Sequence, residues 1–215
     1  MIDTGKKLLL GCVIFLISQS AIADDFYRGE VGLDYWWAST KISDVRYDED
    51  KTPFLTLVLE TELPYAPHFK FRYSEIDSQH TSFDKYDFIF YYDVMDHESL
   101  ALDLGINASN YKNSRYTYSE ENVAFNMTTW SFYANGAITI PNTNLDIIGQ
   151  FDFYNSGNKK TADFIAGFEY TLDLQTVDVA LRTGYRVMDY TFNEDKENEA
   201  TVFIDGWFVG MSVIL

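Results

Sequence analysis

The three histidines of the chain decide where enzyme chemistry would lie. His80 stands in a polar stretch with Ser82 and Asp84 close by, residue types that hydrolases and acyl transferases use as base, nucleophile and acid. His68 and His97 lie beside short predicted turns instead. Because histidine beside serine and aspartate is ordinary in a surface loop, we expect no enzyme activity. A surface-exposed lipid-modifying or proteolytic enzyme is the minor alternative.

A larger set of ionisable side chains recurs at every second position of otherwise apolar segments. Such positions share one face of a β-strand, since successive side chains point to opposite sides. The charged residues predicted to share this face are Glu30, Asp34, Glu60, Lys70, Arg72, Asp87, Asp93, Asp103, Asp163, Glu169, Arg182 and Arg186. The opposite face carries apolar residues such as Leu55, Leu57 and Phe71. An Arg or Lys that faces lipid at mid-membrane costs about 2–4 kcal/mol, so the charged face must turn inward.

Inside a narrow lumen these acids and bases are expected to pair and to fill much of the space. The predicted pairs are Glu60 with Lys70, Asp163 with Arg186, and Arg72 with Asp93. A charged, largely filled lumen is our first interpretation, and a narrow pore is the alternative. Since acids outnumber bases on this face, such a pore should prefer cations.

About ten strands must position these side chains, judging from the period-2 segments bounded by turn residues. The predicted strands are 27–40, 53–62, 68–77, 85–94, 99–110, 127–140, 145–155, 162–172, 177–190 and 201–215. Short turns (63–67, 95–98, 141–144, 173–176) alternate with longer connections, notably 42–52, 111–126 and 191–200. Outer-membrane barrels show this pattern, with the short turns periplasmic. The fold class is therefore all-β, an antiparallel up-and-down transmembrane β-barrel of ten strands; eight is the alternative.

Hairpin register follows from centring each strand pair on its turn, since directly opposite residues share a face. The apolar pairs predicted in this way are Leu59–Phe71, Phe90–Leu104, Ile138–Ile147 and Phe168–Leu181. The pairs predicted on the polar face are Glu60–Lys70, Tyr91–Asp103, Asn135–Gln150 and Asp163–Arg186.

The final segment, 207–215, alternates large apolar residues with smaller or polar ones. Such a strand closes a barrel by pairing with the first strand, here 27–40, and we expect the barrel-assembly machinery to recognise it. Upstream, the same strand places Ile204 and Phe208 inward and Asp205 outward. Aromatic residues gather at membrane–water interfaces, and those predicted there are Trp36, Trp37, Tyr65, Trp130 and Trp207.

The first residues have the pattern of an export signal. Lys6 and Lys7 precede an apolar run at 8–17, and Ala21 and Ala23 fit a small-x-small cleavage site. We predict a signal peptide at 1–23, cleaved after Ala23, and a barrel domain at 24–215 in the cell outer membrane. Cleavage removes Cys12, the single cysteine of the chain.

The formal net charge of −17 argues against nucleic-acid binding, since the polyanion would be repelled. The acidic tracts 44–50 and 194–199 are expected to be solvated surface. Weak Ca²⁺ or Mg²⁺ binding that bridges to lipopolysaccharide is the alternative. The sequence has no phosphate-binding glycine loop, zinc pattern or nucleophile elbow, so we expect no metal and no cofactor. The expected surroundings of the monomer are outer-membrane lipid and lipopolysaccharide.

Four segments together carry a family resemblance: 54–60 with the turn at Leu63 and Pro64, 68–73, 91–93 and 204–210. They resemble a family of small proteobacterial outer-membrane β-barrel proteins whose function is uncharacterised. Trp207 stands where that family more often has proline, and Leu215 where it usually has phenylalanine. The resemblance implies a fold and a location, and no activity. A structural or surface-interaction role is the expectation.

Overall fold

The computed structural model describes residues 27–42, 45–78, 81–118, 121–157, 159–192 and 200–215. The predicted signal peptide, His80 and the carboxylates of both acidic tracts lie outside the described residues. No helix in the described part of the chain is long and apolar enough to cross a membrane.

Eleven strands make up the described ranges. They are β1 (Tyr27–Ile42), β2 (Val45–Thr61), β3 (His68–Asp77), β4 (Thr81–His97), β5 (Leu100–Tyr118), β6 (Glu121–Ala124), β7 (Met127–Thr139), β8 (Leu145–Ser156), β9 (Lys159–Leu174), β10 (Val177–Phe192) and β11 (Ala200–Ile214). Each strand pairs antiparallel with its neighbour, and β1 pairs with β11, so the sheet closes on itself. Short β6 extends the wall beside the far end of β5. The prediction of a ten-stranded antiparallel barrel is confirmed, and the alternative of eight strands is wrong.

The barrel has a turn end, with connections at 62–67, 98–99, 140–144 and 175–176, and a loop end opposite. At the loop end the strands run further than predicted. The expected connections at 42–52 and 111–126 are largely strand, because β2 begins at Val45 and β5 continues to Tyr118.

A β-bulge explains why the alternation of the sequence does not predict the extension of β5. Asn113 and Ser114 together lie opposite the single residue Phe83 of β4, and Asn113 has a φ of 51°. The extra residue reverses which positions face inward. Tyr111 before the bulge and Tyr116 after it are therefore both buried, which breaks the simple alternation of the sequence.

Hairpin register agrees with prediction in one hairpin and is shifted by two residues in the others. The pairs Asn135–Gln150 and Ile138–Ile147 are confirmed. Elsewhere the predicted pairs are wrong, and the observed ones are Leu59–Phe69, Val58–Lys70, Phe90–Ile106, Tyr91–Gly105, Phe168–Thr183 and Ile165–Arg186. Because side chains alternate with a period of two, a two-residue shift leaves every residue on its predicted face.

Closure occurs between the strands that were predicted to close the barrel. In the β1–β11 pair Trp37 lies opposite Trp207, and the Leu215 N–H donates to the Gly29 carbonyl oxygen at 2.8 Å. Inward Ile204 and Phe208 are fully buried. This pairing closes the ring of ten strands.

The outer face is apolar around the whole ring. Leu33 on β1, Ile106 on β5 and Phe168 on β9, which are spread around the ring, are 59%, 53% and 49% exposed. An apolar exposed surface that encircles a protein marks contact with lipid rather than with water. Trp130 and Trp207 lie on this face and are 64% and 66% exposed.

Trp36 is a correction to the predicted interface aromatics. Trp36 and Trp37 are adjacent on β1, so they point to opposite faces. Trp37 lies outside and packs edge-on against Tyr35, with 5.2 Å between ring centroids. Trp36 is fully buried inside the barrel, where its indole Nε1 donates to the Gly206 carbonyl oxygen at 3.1 Å. Tyr65, in the β2–β3 turn, is almost fully exposed.

Gly206 offers a test of this close packing. A Cβ at Gly206 would collide with the carbonyl oxygen of Trp37, whereas a Cβ at Gly29 would meet nothing within 4 Å. We expect Gly206→Ala to lower the free energy of unfolding by about 1–3 kcal/mol, the usual cost of overpacking. Urea unfolding of the refolded barrel in detergent micelles, followed by tryptophan fluorescence, measures the change. Gly29→Ala is the control, and an equal loss in both variants would contradict the packing at Gly206.

Candidate functional site

The candidate site is the barrel interior, which changes character from the turn end to the loop end. Along β10 the inward residues in that order are Arg182, Arg186 and Tyr190. Arg182 belongs to a partly hydrated vestibule, Arg186 to a buried ionic cluster and Tyr190 to an aromatic plug.

The central cluster consists of six charged side chains at mid-barrel. They are Arg72 on β3, Lys85 and Asp87 on β4, Asp152 on β8, Asp163 on β9 and Arg186 on β10. Each is at most 3% exposed. Three cations face three carboxylates, so the formal charges of the cluster cancel. Charges taken out of water in this way must be paired and hydrogen-bonded to be tolerated.

Asp163 is the hub of the central cluster. Its Oδ2 accepts from Lys85 Nζ at 2.8 Å, from Arg186 Nη2 at 2.8 Å and from Arg72 Nη2 at 3.3 Å. Strands β3 and β9 lie five places apart in the ring of ten, so the Arg72–Asp163 bond spans the lumen. The bond therefore ties opposite walls of the barrel together.

Arg72 also joins the other two carboxylates. Its Nε donates to Asp87 Oδ2 at 2.8 Å, and its Nη2 to Asp152 Oδ2 at 2.8 Å. Asn107 Nδ2 bridges the second oxygens of the same carboxylates, at 3.2 Å from Asp87 Oδ1 and 3.0 Å from Asp152 Oδ1. Charge-assisted bonds of this kind are roughly twice as strong as neutral ones. They hold the cluster in one arrangement.

An aromatic plug crosses the lumen on the loop side of the cluster. We define it by Phe83, Tyr111, Phe125 and Tyr190, all buried and with ring centroids 5.6–6.3 Å apart. Phe83 on β4 and Tyr190 on β10 meet edge-to-face at 5.6 Å, again from strands five places apart. Edge-to-face contact is a favoured aromatic geometry. The plug thus joins opposite walls of the barrel.

Arg186 also contacts two aromatic rings outside the plug. Its guanidinium carbon lies 4.6 Å from the ring centroid of Phe54 and 5.1 Å from that of Trp36. Both distances are within the range of cation–π attraction. On its other side Arg186 binds both oxygens of Asp163, at 3.0 and 2.8 Å.

One of the three predicted ion pairs is present in the structure. Asp163 and Arg186 are paired as above. Lys70 is instead hydrogen-bonded to Gln150 Oε1 at 3.2 Å and to the Tyr133 hydroxyl at 3.4 Å. The predicted Glu60–Lys70 pair is wrong because the hairpin register is shifted, and Glu60 accepts from the Tyr91 hydroxyl at 3.2 Å.

The predicted approach of Arg72 to Asp93 is also wrong. Asp93 lies near the turn end, is half-exposed and contacts His68, with 3.1 Å between Nε2 and Oδ2. The second ring nitrogen of His68 accepts from the Thr61 N–H at 3.0 Å. Both nitrogens of His68 are thus engaged at the β2–β3 hairpin. Nearby Asp103 accepts from Asn135 Nδ2 at 2.8 Å.

Arg182 organises the vestibule below the cluster. It binds Asp34 through two bonds, Nε to Oδ1 at 2.6 Å and Nη2 to Oδ2 at 2.7 Å. Glu30 Oε1 is 3.9 Å from its Nη1. Glu169 is the register partner of Arg182 on β9, but among the described residues its carboxylate has no cationic nitrogen within 4 Å. The vestibule therefore keeps a carboxylate without an ion-pair partner.

Neither Lys85 nor the residues of the plug are among the side chains predicted from the sequence to lie in the interior. Lys85 stands two residues before Asp87 and so shares its face, a signal that would have found it. Phe83 continues the same alternation, but apolar residues were expected to face lipid. In the described ranges, no group of three or more histidine, cysteine, aspartate or glutamate side chains is arranged to hold a metal ion.

Removing the charge of Asp163 tests the cluster. Asp163→Asn leaves three buried cations with two carboxylates, so we expect a loss of about 3–5 kcal/mol in the free energy of unfolding. Asp93→Asn, at a half-exposed carboxylate, should cost about 0–1 kcal/mol. Urea unfolding of the refolded variants measures both.

A double variant separates charge balance from simple damage. Adding Lys85→Met to Asp163→Asn restores two cations against two carboxylates, so the second substitution should recover part of the lost stability. Additive losses in the double variant would contradict the proposed balance.

Comparison with known proteins bears on the fold. No family model matches the chain, and no curated protein matches it. The outer membrane protease OmpT from Escherichia coli is similar in structure, with a TM-score of 0.52 and 9% identity over 90% of this chain and 98% of that one. The β domain of the Bordetella autotransporter BrkA gives 0.45 and 11% over 88% and 99%, and Neisserial surface protein A 0.38 and 15% over 87% and 96%. The chain therefore has the fold of an outer-membrane β-barrel.

Proposed function

We propose that this chain is an integral outer-membrane β-barrel without enzyme activity, with a closed lumen and a structural or surface-interaction role. The observation that carries the proposal is the double closure of the lumen. Arg72 and Asp163 bond across it, and Phe83 and Tyr190 meet across it. A pore would need a continuous aqueous path past both layers.

The membrane location is supported by the outer face. An apolar surface around the whole ring would be costly in water, whereas it suits a bilayer core. The similarity of fold to OmpT supports the same reading. In this orientation the turn end faces the periplasm, as short turns do in outer-membrane barrels. Lipid, lipopolysaccharide and the barrel-assembly machinery are the proposed partners of the monomer, and the export signal at 1–23 is part of the proposal.

Conductance in planar lipid bilayers tests the closed lumen. We expect the refolded wild-type barrel to give no current steps, because the cluster and the plug both block the lumen. The triple variant Arg72→Ala, Phe83→Ala, Tyr190→Ala removes one member of the cluster and two of the plug, and it should conduct. Cation-selective steps from the wild type would contradict the proposal and favour the narrow pore.

A matched control keeps the number of truncated side chains constant. The control is the triple variant Phe71→Ala, Phe88→Ala, Phe90→Ala, whose substitutions are on the outer face. This variant should give no current steps. Current from it would show that truncation alone makes the barrel leaky.

Lipid exposure of the tryptophans tests membrane insertion. In variants that retain one tryptophan, quenching by brominated lipids should be strong for Trp130 and Trp207, whose side chains face outward. Trp36, fully buried inside the barrel, should be quenched little. Equal quenching of Trp36 would contradict its placement in the lumen.

A further inference from the structure

The vestibule contains a cavity of about 160 Å³ on the turn side of the central cluster. Its polar lining comprises Glu30, Asp34, Lys70, Asn135, Gln150, Glu169 and Arg182. Its apolar lining includes Phe54, Ile165 and Phe208. A largely preformed cavity with an apolar wall and a few polar groups is the usual form of a small-molecule site.

Gln150 is the first sign that this cavity takes a ligand. The side chain is only 7% exposed. Its Oε1 accepts from Lys70 Nζ at 3.2 Å, but its Nε2 has no hydrogen-bond partner in the described part of the chain. A buried donor without an acceptor is costly. A ligand oxygen at this position would remove that cost.

Lys70 presents a second unmatched donor beside Gln150. Its ammonium contacts two neutral oxygens, those of Gln150 and Tyr133. Among the described residues no carboxylate oxygen lies within 4 Å of it. The Lys70–Gln150 pair therefore offers a cationic donor and an amide donor next to each other, which suits a ligand carboxylate.

Two of the three carboxylates that line the same cavity lack a close cationic partner. Asp34 is matched by Arg182 through two short bonds. Glu169 has no cationic nitrogen within 4 Å in the described ranges, and Glu30 has one only at 3.9 Å. Neither of these two carboxylates is therefore hydrogen-bonded to a cation in the described ranges.

We propose that the cavity binds a small zwitterion of the amino-acid class. Its carboxylate binds Lys70 and Gln150, its ammonium lies toward Glu169 and Glu30, and its apolar side chain packs on Phe54, Ile165 and Phe208. A simple anion would meet these two carboxylates, and a simple cation would meet Lys70. A zwitterion satisfies both without adding net charge, and Coulomb interactions are strong in such a partly dehydrated site.

Isothermal titration calorimetry of the refolded full barrel in non-ionic detergent tests the site. The probes are L-valine, isobutylamine and isovalerate, which share an apolar side chain and differ in their charged groups. We expect L-valine to bind with a Kd at least about tenfold lower than either analogue, because each analogue lacks one charge-assisted contact. Equal binding of isobutylamine would overturn the proposal in favour of a cation site, and no binding of any probe would overturn it in favour of a water-filled cavity.

Variants assign the binding to this cavity. Gln150→Leu should weaken L-valine binding about tenfold or more, whereas Lys112→Met, on the outer face over the Tyr86 ring, should leave it unchanged. Gln150→Glu introduces a carboxylate beside Lys70 and should reverse the preference, so that isobutylamine binds better than L-valine. A reversal cannot arise from misfolding. Unchanged preference would overturn the assignment.

The inference rests on the proposed closed barrel, but different results would refute the closed lumen and the zwitterion site. A wild-type barrel that conducts and still binds L-valine would refute the closed lumen alone. A silent barrel that binds none of the probes would refute the zwitterion site alone.

Discussion

Lipid cannot solvate charge, and the rest of this structure depends on that constraint. Strict alternation along each strand sends charged side chains into a lumen that is only ten strands in circumference. There they have little water to solvate them, so they must neutralise one another. Asp163, bonded to three cations from three strands, is where that requirement is met most completely.

The aromatic plug and the ionic cluster reinforce each other. In the proposed closed lumen the plug excludes water from the loop side, which lowers the local dielectric constant and strengthens the ion pairs beneath it. The cluster in turn holds Arg186 against Phe54 and Trp36, two rings that belong to the same buried apolar cluster as the plug. Breaking one layer should therefore loosen the other, and single substitutions in the interior are not expected to act independently.

Alternation alone was enough to assign the faces of the wall, as the inward Arg72 beside the outward Phe71 illustrates. It could not set the register of most hairpins, because that depends on turn geometry such as the left-handed backbone of Tyr65. It also failed beyond Asn113, where a bulge reverses the alternation. The sequence predicts the contact of Asp163 with Arg186 but not those with Arg72 and Lys85. These two contacts join strands that are distant in sequence, and they depend on the tilt of the wall.

The plug also divides the interior into unequal compartments. In the proposed closed barrel, where Phe83 and Tyr190 meet across the lumen, the cavity beside Gln150 communicates with the turn end and not with the loop end. A molecule that enters it must leave by the same route. Its occupancy then follows the concentration in one aqueous compartment and is insensitive to any gradient across the bilayer, as in a receptor rather than a conduit.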